Sequence, residues 1–343
     1  MSAEDETLMH GGALDAAAVR YGIPRDGWLD LSTGINPNAY PLPDLAPDYW
    51  QRLPDSDLYS WLCGAAARAY RVADPAMVIP TPGSQMVIQW VPRLIPATRV
   101  AVLGPTYGEH EKCWAAAGHD VDLVTDPEDV EDDAGVVVVV NPNNPTGRII
   151  ERDRLLRLAE GRLLMVDEAF ADVAPEASVA PLVGRPDLLV MRSVGKFFGL
   201  PGMRLGFALA GAPLADTIRD AMGPWSVSGP AAAIGAVALS DDAWIRAARV
   251  RLRAATARLD GLLIRMGLKV VGGTTLFRLI EHPRAADLFE HLAQSGILAR
   301  SFPANPEWLR FGMPGSDADF DRLRSALMDW PRAKPTSASM ASV

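Results

Sequence analysis

Val136 to Val140 are five valines in succession. β-Branched residues favour a pleated strand, and a run with no polar residue on either alternating face suits a strand buried on both sides. The next seven residues, Asn141-Pro142-Asn143-Asn144-Pro145-Thr146-Gly147, stop it at once, because the prolines can neither donate to a ladder nor extend a helix. Around this point the chain alternates. Short apolar runs over 77–80, 99–103, 121–124, 163–166, 188–192 and 205–210 read as strands, with helical patterns over 86–94, from about 109 to 118, and over 151–160. Strands alternating with helices predict an α/β domain with a mostly parallel sheet. In such sheets ligands sit beyond the carboxyl ends of strands, and Asn144, Asp167 and Lys196 each follow one.

A chain of 343 residues suits two domains. Residues 1–45 read as an N-terminal arm: a helical pattern over 13–21, a short apolar strand, then Ser32-Thr33-Gly34-Ile35-Asn36-Pro37 as a polar turn. Residues 46–222 form the large domain. After Gly223-Pro224-Trp225 the pattern changes, with helices over 230–239 and 243–266, a strand pair over 270–280, a helix over 284–295, strands over 297–302 and 308–313, and a last helix over 317–330. This predicts a smaller α+β domain over 223–332, followed by a flexible tail, 333–343.

The net charge of −9 without any basic block argues against nucleic acid and anionic membranes as partners. No apolar run reaches the ~20 residues of a membrane span, and the acidic start, Met1-Ser2-Ala3-Glu4-Asp5-Glu6, lacks the basic region of a signal peptide. Two cysteines, Cys63 and Cys113, make neither a disulfide framework nor a metal site. The cytoplasm is the expected compartment. An anionic ligand would need local arginines working against the global field.

One segment concentrates such groups. Lys196 lies three residues after Ser193 and eight before Arg204, among glycines and beside Phe197, Phe198, Leu200 and Met203. Apolar neighbours desolvate a lysine and lower its pKa, which suits it to act as an amine nucleophile toward an aldehyde. Serine and arginine hold phosphate. Gly83-Ser84-Gln85 at a helix start is a second anion-binding turn, in which Ser84 can also serve as a helix cap. Lysine plus phosphate clamp points to pyridoxal 5'-phosphate. Asp167 is then the buried carboxylate that keeps a pyridine nitrogen protonated, with a strand-end helix cap as its alternative role, and Asn144 the donor to the ring's 3-oxygen. Strand alternation turns Glu168 elsewhere. Tyr107 is placed either to stack on the ring or to pack at an interface.

The set Asn143-Asn144-Pro145-Thr146-Gly147, Asp167-Glu168-Ala169-Phe170 and Ser193-x-x-Lys196 with Arg204-x-Gly206 resembles the fold-type-I, class I/II aminotransferase superfamily, in its histidinol-phosphate aminotransferase branch. The resemblance covers about residues 10–330. It implies a pyridoxal phosphate enzyme and a homodimer with active sites at the interface. It also implies that Gly83, Ser84, Ser193 and Arg204 bind the cofactor phosphate, with Gln85 in the same turn. Within the branch, the arm motifs His10-Gly11-Gly12 and Leu29-Asp30-Leu31-Ser32-Thr33-Gly34-Ile35-Asn36-Pro37 resemble those of threonine-phosphate decarboxylases of cobalamin biosynthesis. That likeness implies that His10, Asn36, Arg300 and Arg310 hold a small phosphorylated amino acid. Composition alone would leave His10 in an arm and Arg300 on the surface. The same parts would serve an aminotransferase that pins the carboxylate and removes the Cα proton, which is the alternative activity.

Three positions depart from the superfamily pattern. Phe170 stands where many relatives carry a tyrosine that bonds the 3-oxygen. Leu53-Pro54-Asp55 replaces a Tyr-Pro-Asp whose tyrosine crosses the dimer, and Tyr59 is out of register to substitute for it. Pro82-Gly83-Ser84-Gln85 lacks the acidic residue usual after the glycine.

Overall fold

The computed structural model describes residues 11–331. His10 and the tail 333–343 lie outside the described residues. Thirteen strands are present among these: β1 (Leu29–Asp30), β2 (Val78–Thr81), β3 (Arg99–Leu103), β4 (Asp120–Val124), β5 (Val136–Val140), β6 (Leu163–Asp167), β7 (Leu188–Ser193), β8 (Gly206–Ala210), β9 (Lys269–Thr274), β10 (Phe277–Glu281), β11 (Ile297–Leu298), β12 (Arg300–Ser301) and β13 (Trp308–Gly312).

Seven of them form one sheet in the order β2-β8-β7-β6-β5-β3-β4. Its pairs are parallel except at β8, which runs against both β7 and β2. The fold is therefore α/β with a mostly parallel sheet. The valine run is β5, and both its faces are covered. Val137 and Val139 join the apolar layer containing Leu62, Ala66, Ala232 and Ala236 from the helices Ser56–Tyr70 and Gly229–Ser240. Val136 and Val138 pack with Val87, Ile88, Trp114 and Ile218 from the helices Ser84–Leu94, Glu109–Ala116 and Leu214–Met222. A strand sandwiched by helices has no wet face, which is why its sequence does not alternate.

A four-stranded antiparallel sheet, β12-β13-β10-β9, carries the helices Asp242–Arg265, Ala285–Gln294 and Asp317–Asp329 around it. The N-terminal segment joins this end of the molecule. β1 pairs in parallel with β11, and the Gly312 amide donates to the Leu31 carbonyl at 2.7 Å. The strand expected over 297–302 is consequently split at Ala299: β11 serves the arm, while β12 turns to pair with β13. The helix expected from residue 86 begins at Ser84, with Gly83 as its uncapped N-terminal neighbour.

The loop after β5 meets β9 backbone to backbone. Gly273 N–H donates to the Thr146 carbonyl at 2.9 Å. A Cβ added at Gly147, whose φ is +71°, would lie 2.1 Å from the Gly273 oxygen. Gly161 has a similar φ of +76° but open space around it. Ala at a left-handed position costs on the order of 1 kcal/mol or more, so Gly161→Ala should lower the melting temperature modestly. Gly147→Ala should lower it by clearly more, and circular-dichroism melts of the two variants check this. Equal melts would show that the contact is dispensable.

Candidate active site

The strand ends place the site. β5, β6 and β7 run in parallel, so Asn144, Asp167 and Lys196 emerge at one edge of the sheet. Because β8 is antiparallel to β7, the connection 194–205 returns to the same edge and carries Arg204 there. β2 is antiparallel to β8, so Gly83 and Ser84 arrive at that edge too. The result is a cavity of about 500 Å³ bordered by Gly83, Ser84, Gln85, Tyr107, Asn144, Asp167, Ser193, Lys196, Arg204, Arg300 and Arg310. A volume of that order suits a small ligand.

At one end lies an anion cradle. The eleven-residue helix Ser84–Leu94 begins here with no side-chain cap on its first amides, which leaves N–H groups and the positive end of the helix dipole toward the cavity. Ser84 is thus the first helical residue and not a cap. Arg204 lies across the turn so closely that a Cβ on Gly83 would sit 2.6 Å from its Nη2. Gln85 is occupied sideways: its Oε1 accepts from the Tyr107 hydroxyl at 3.2 Å and its Nε2 donates to Glu109 at 3.4 Å. Burial, with Glu109 and Asp167 near, pushes the Tyr107 hydroxyl up to about 12.

Lys196 follows β7 in the short helix Val194–Phe197. Burial, then Arg310, and to a lesser degree Arg204, pull its amine down to about 8 against a favourable pull from Asp167. The Phe170 ring is 5.8 Å from Nζ and stacks edge-on with Phe277 at 5.2 Å, so the wall beside the amine is apolar. Asp167 is buried; its Oδ1 accepts from the Ala169 amide at 2.9 Å and its Oδ2 meets His110 Nε2 at 3.1 Å. Neighbouring Glu168 points away, into a bond network with Arg192, Ser178 and the Val179 amide.

Arg300 and Arg310 close the other side. Arg310 is buried, donates to Asn144 Oδ1 and to the Ser32 carbonyl at 2.7 Å, and leaves Nε without a partner. A guanidinium has only donors, so it fixes the amide oxygen of Asn144 toward itself and leaves the amide N–H groups for another acceptor. Burial and Arg300 pull Arg310 down to about 9, and burial lowers Arg300, whose Nη1 is also buried without a partner. Arg300 is therefore a cavity residue and not the surface charge that composition suggests. Among the described residues, Arg204, Arg300 and Arg310 have no carboxylate partner.

Not every expected residue arrives. Asn36 is buried but does not border the cavity: its Nδ2 donates to the Phe197 carbonyl at 2.9 Å and its Oδ1 accepts from the Asn38 amide at 3.0 Å. His10 lies outside the described residues. Tyr59 is committed within its own chain, bonding both the carbonyl and the amide of Val227. The polar turn 32–34, by contrast, is both a turn and a wall. Asp30 accepts from the Ser32 amide and hydroxyl, while Thr33 and Gly34 border the cavity. Sequence reasoning missed Glu109, Phe302 and His110.

The family model for aminotransferase class I and II matches residues 39–327. The chain belongs to the class I and II aminotransferase family. Within it, the chain is 47% identical to a threonine-phosphate decarboxylase of Sinorhizobium sp over 93% of this chain and 97% of that one. It is 46% identical to a threonine-phosphate decarboxylase of Pseudomonas aeruginosa over 94% and 97%. A histidinol-phosphate aminotransferase of Burkholderia pseudomallei is 34% identical over 66% of each chain. Among solved structures, L-threonine-O-3-phosphate decarboxylase from Porphyromonas gingivalis superposes with a TM-score of 0.74 at 19% identity, covering 87% of this chain and 98% of that one. Histidinol-phosphate aminotransferase from Sinorhizobium meliloti, solved with pyridoxal-5'-phosphate, superposes with a TM-score of 0.76 at 21% identity, covering 95% and 96%. At those identities the structures share the fold.

Membership in this family makes the chain a pyridoxal phosphate enzyme, and its residues fit that group. The uncapped amides beside Arg204 and Ser193 suit a phosphate, buried Asp167 a protonated ring nitrogen, the free Asn144 amide a ring oxygen, and Lys196 an aldehyde. Among the described residues no helix is long and apolar enough to cross a membrane.

The lysine's reactivity gives a direct check. The neutral amine, which is the nucleophile, dominates above its pKa. Competitive acetic anhydride labelling of apoprotein, read by mass spectrometry, should therefore show Lys196 reactivity rising through a midpoint of about 8 and levelling above it. Free Nα-acetyl-lysine added as the reference amine should keep rising to about pH 10 and beyond. Parallel profiles for Lys196 and the free amine would contradict the site's electrostatics.

Proposed function

We propose that this chain is a pyridoxal phosphate-dependent threonine-phosphate decarboxylase. It would convert L-threonine O-3-phosphate to (R)-1-aminopropan-2-yl phosphate and carbon dioxide for cobalamin biosynthesis, in the cytoplasm. The observation that carries this reading is the pair of decarboxylases matched along nearly the whole chain at 47% and 46% identity. The geometry supports it. A substrate with both a phosphate and a carboxylate needs donors whose charge is not already spent, and Arg300 and Arg310 supply them. With Asn36 tied to backbone carbonyls, the phosphate grip falls on these two arginines, and on His10 from the arm.

Pyridoxal phosphate, when bound, supplies an aldehyde for the amine and an electron sink for the pair left at Cα. The protein's part is positional and electrostatic. Ser84, Ser193 and Arg204 would hold the cofactor phosphate with Gly83 in the turn, and Tyr107, tied back through Gln85, would border the ring. Asp167, braced by His110, keeps negative charge buried on one side of the cavity. Lys196 Nζ offers an amine that is partly neutral near pH 8, able to attack, leave and carry a proton. Phe170 and Phe277 exclude water beside it. We assign residues 1–45, 46–222 and 223–332 to arm, large domain and small domain respectively.

Purified holoenzyme incubated with threonine phosphate alone should release stoichiometric amine and carbon dioxide. Turnover that requires 2-oxoglutarate and forms a keto acid would instead make it an aminotransferase.

We also propose a homodimer. One groove is lined by Leu53, Trp61 and Arg52; a second, sharing Pro54 and Asp55 with it, runs past Met77 to Met222 and Trp225. Leu53, Trp61 and Trp225 are exposed, as is nearby Trp50. Four large apolar side chains around continuous grooves are more than a monomer leaves wet without use, and a second copy of the chain is the occupant. Sedimentation at micromolar protein should give a dimer, and Leu53→Asp should shift it toward monomer. A monomeric wild type would sink this proposal.

A further inference from the structure

The N-terminal segment touches the catalytic lysine's backbone more closely than it touches the cavity. The helix Val194–Phe197 has only four residues, so its carbonyls find few partners within it. Three of the carbonyls at its end are taken by the arm. The Asn36 amide donates to the Lys196 carbonyl at 2.9 Å, Asn36 Nδ2 to the Phe197 carbonyl at 2.9 Å, and the Tyr40 amide to the Phe198 carbonyl at 2.8 Å. The strap is pinned at its far end. The Tyr40 ring packs edge-on against Phe198 and Trp244, and its hydroxyl donates to Asp241 at 3.2 Å. Gly199 makes the approach possible. At its φ of +68° a Cβ would lie 2.6 Å from the Asn36 carbonyl oxygen and 2.8 Å from Ala39 Cα. Three and two residues before Asn36, Thr33 and Gly34 form part of the cavity wall.

We propose that Asn36 is a positioning residue for Lys196, acting through the lysine turn and not on the substrate phosphate. Its side chain is buried with its amide oxygen and one amide proton bonded to backbone. What the strap fixes is the backbone from which Nζ projects, and a misplacement of about 1 Å at a reacting group can cost on the order of 10²-fold in rate. The placement of the kinetic consequence rests on the decarboxylase reading. The placement on the lysine does not.

The test compares Asn36→Ala with wild type in two measurements. With holoenzyme, kcat for threonine phosphate should fall by about 10- to 100-fold while KM stays within about twofold, the pattern of a lost transition-state alignment. With apoprotein and no substrate, the rate of borohydride-trappable attachment of pyridoxal phosphate to Lys196 should fall as well. Gly199→Ala, which pushes the strap away without touching Asn36's side chain, should reproduce both effects, and it guards against a folding defect peculiar to one variant. A raised KM with unchanged kcat and unchanged attachment rate would return Asn36 to the substrate and overturn the proposal. No change in either measurement would overturn it too. If wild type fails to decarboxylate threonine phosphate, the activity reading falls, while the attachment rates still decide the role of Asn36.

Discussion

Lys196 is held where its charged form is unwelcome, and the rest of the site follows from that. Burial and the nearby Arg310 and Arg204 all disfavour an ammonium, and Asp167 is the counterweight. Arg310 is itself buried and Arg300 half-buried; Arg300 disfavours the charge on Arg310, and Arg310 that on Lys196. Such a cluster is costly in a folded chain until anions enter it. A bound phosphate and carboxylate would be stabilised by the arginines and would in turn stabilise the fold, since any ligand that binds only the native state adds to its stability. The overall charge of −9 does not oppose this at short range, because low dielectric strengthens local pairs over distant ones.

Topology makes the cluster possible without long-range coordination of loops. Parallel pairing of β5, β6 and β7 sends three consecutive strand ends to one edge. The single reversed strand, β8, then does two things. It brings the chain back past that edge so that Lys196 and Arg204 share one connection, and it aligns β2 so that the Gly83 turn opens there as well. The antiparallel sheet adds Arg310 from β13 and Arg300 from β12, which are directly paired, Arg300 opposite Arg310. Two like charges facing each other across a ladder is a destabilising arrangement on its own. Here it is retained where a ligand's opposite charge can lie.

Much of this was legible in the chain because it depends on local pattern. The valine run determines a two-sided buried strand, and the residues after each strand end are exposed to view by their motifs. The parts that were not legible depend on distant backbone. Nothing in Ile297 to Phe302 says that one run must serve two sheets, because the reason is the arm strand 29–30 pairing with its first half. Asn36 read as part of a turn, and the carbonyl its side chain satisfies lies 161 positions away. Strand alternation turns Glu168 away from the ligand, but nothing local marks Arg192 as its partner in a buried network. His110 braces Asp167 from another element, and a lone histidine on a helix carries no mark of that.

The buried arginines also show which property separates structure from site. Arg192 is as buried as Arg310. Yet Arg192 is answered by two carboxylates, Glu168 at 2.8 Å and Asp172, with the Tyr70 ring 4.2 Å beneath it. Burial drives Glu168's carboxyl up while Arg192 and its hydrogen-bond donors hold it down, so the charge of Arg192 is met within the chain. Arg310 bonds only an amide oxygen and a carbonyl, neither of which carries a full charge, and the pull of Asp30 on it is smaller than the opposing effects of burial and Arg300. Burial alone therefore says nothing about function, since both guanidinium groups are shielded from water. What distinguishes them is whether the chain supplies the counter-charge. Where it does, the charge holds strands β6 and β7 together; where it does not, the chain has left the balance to a ligand.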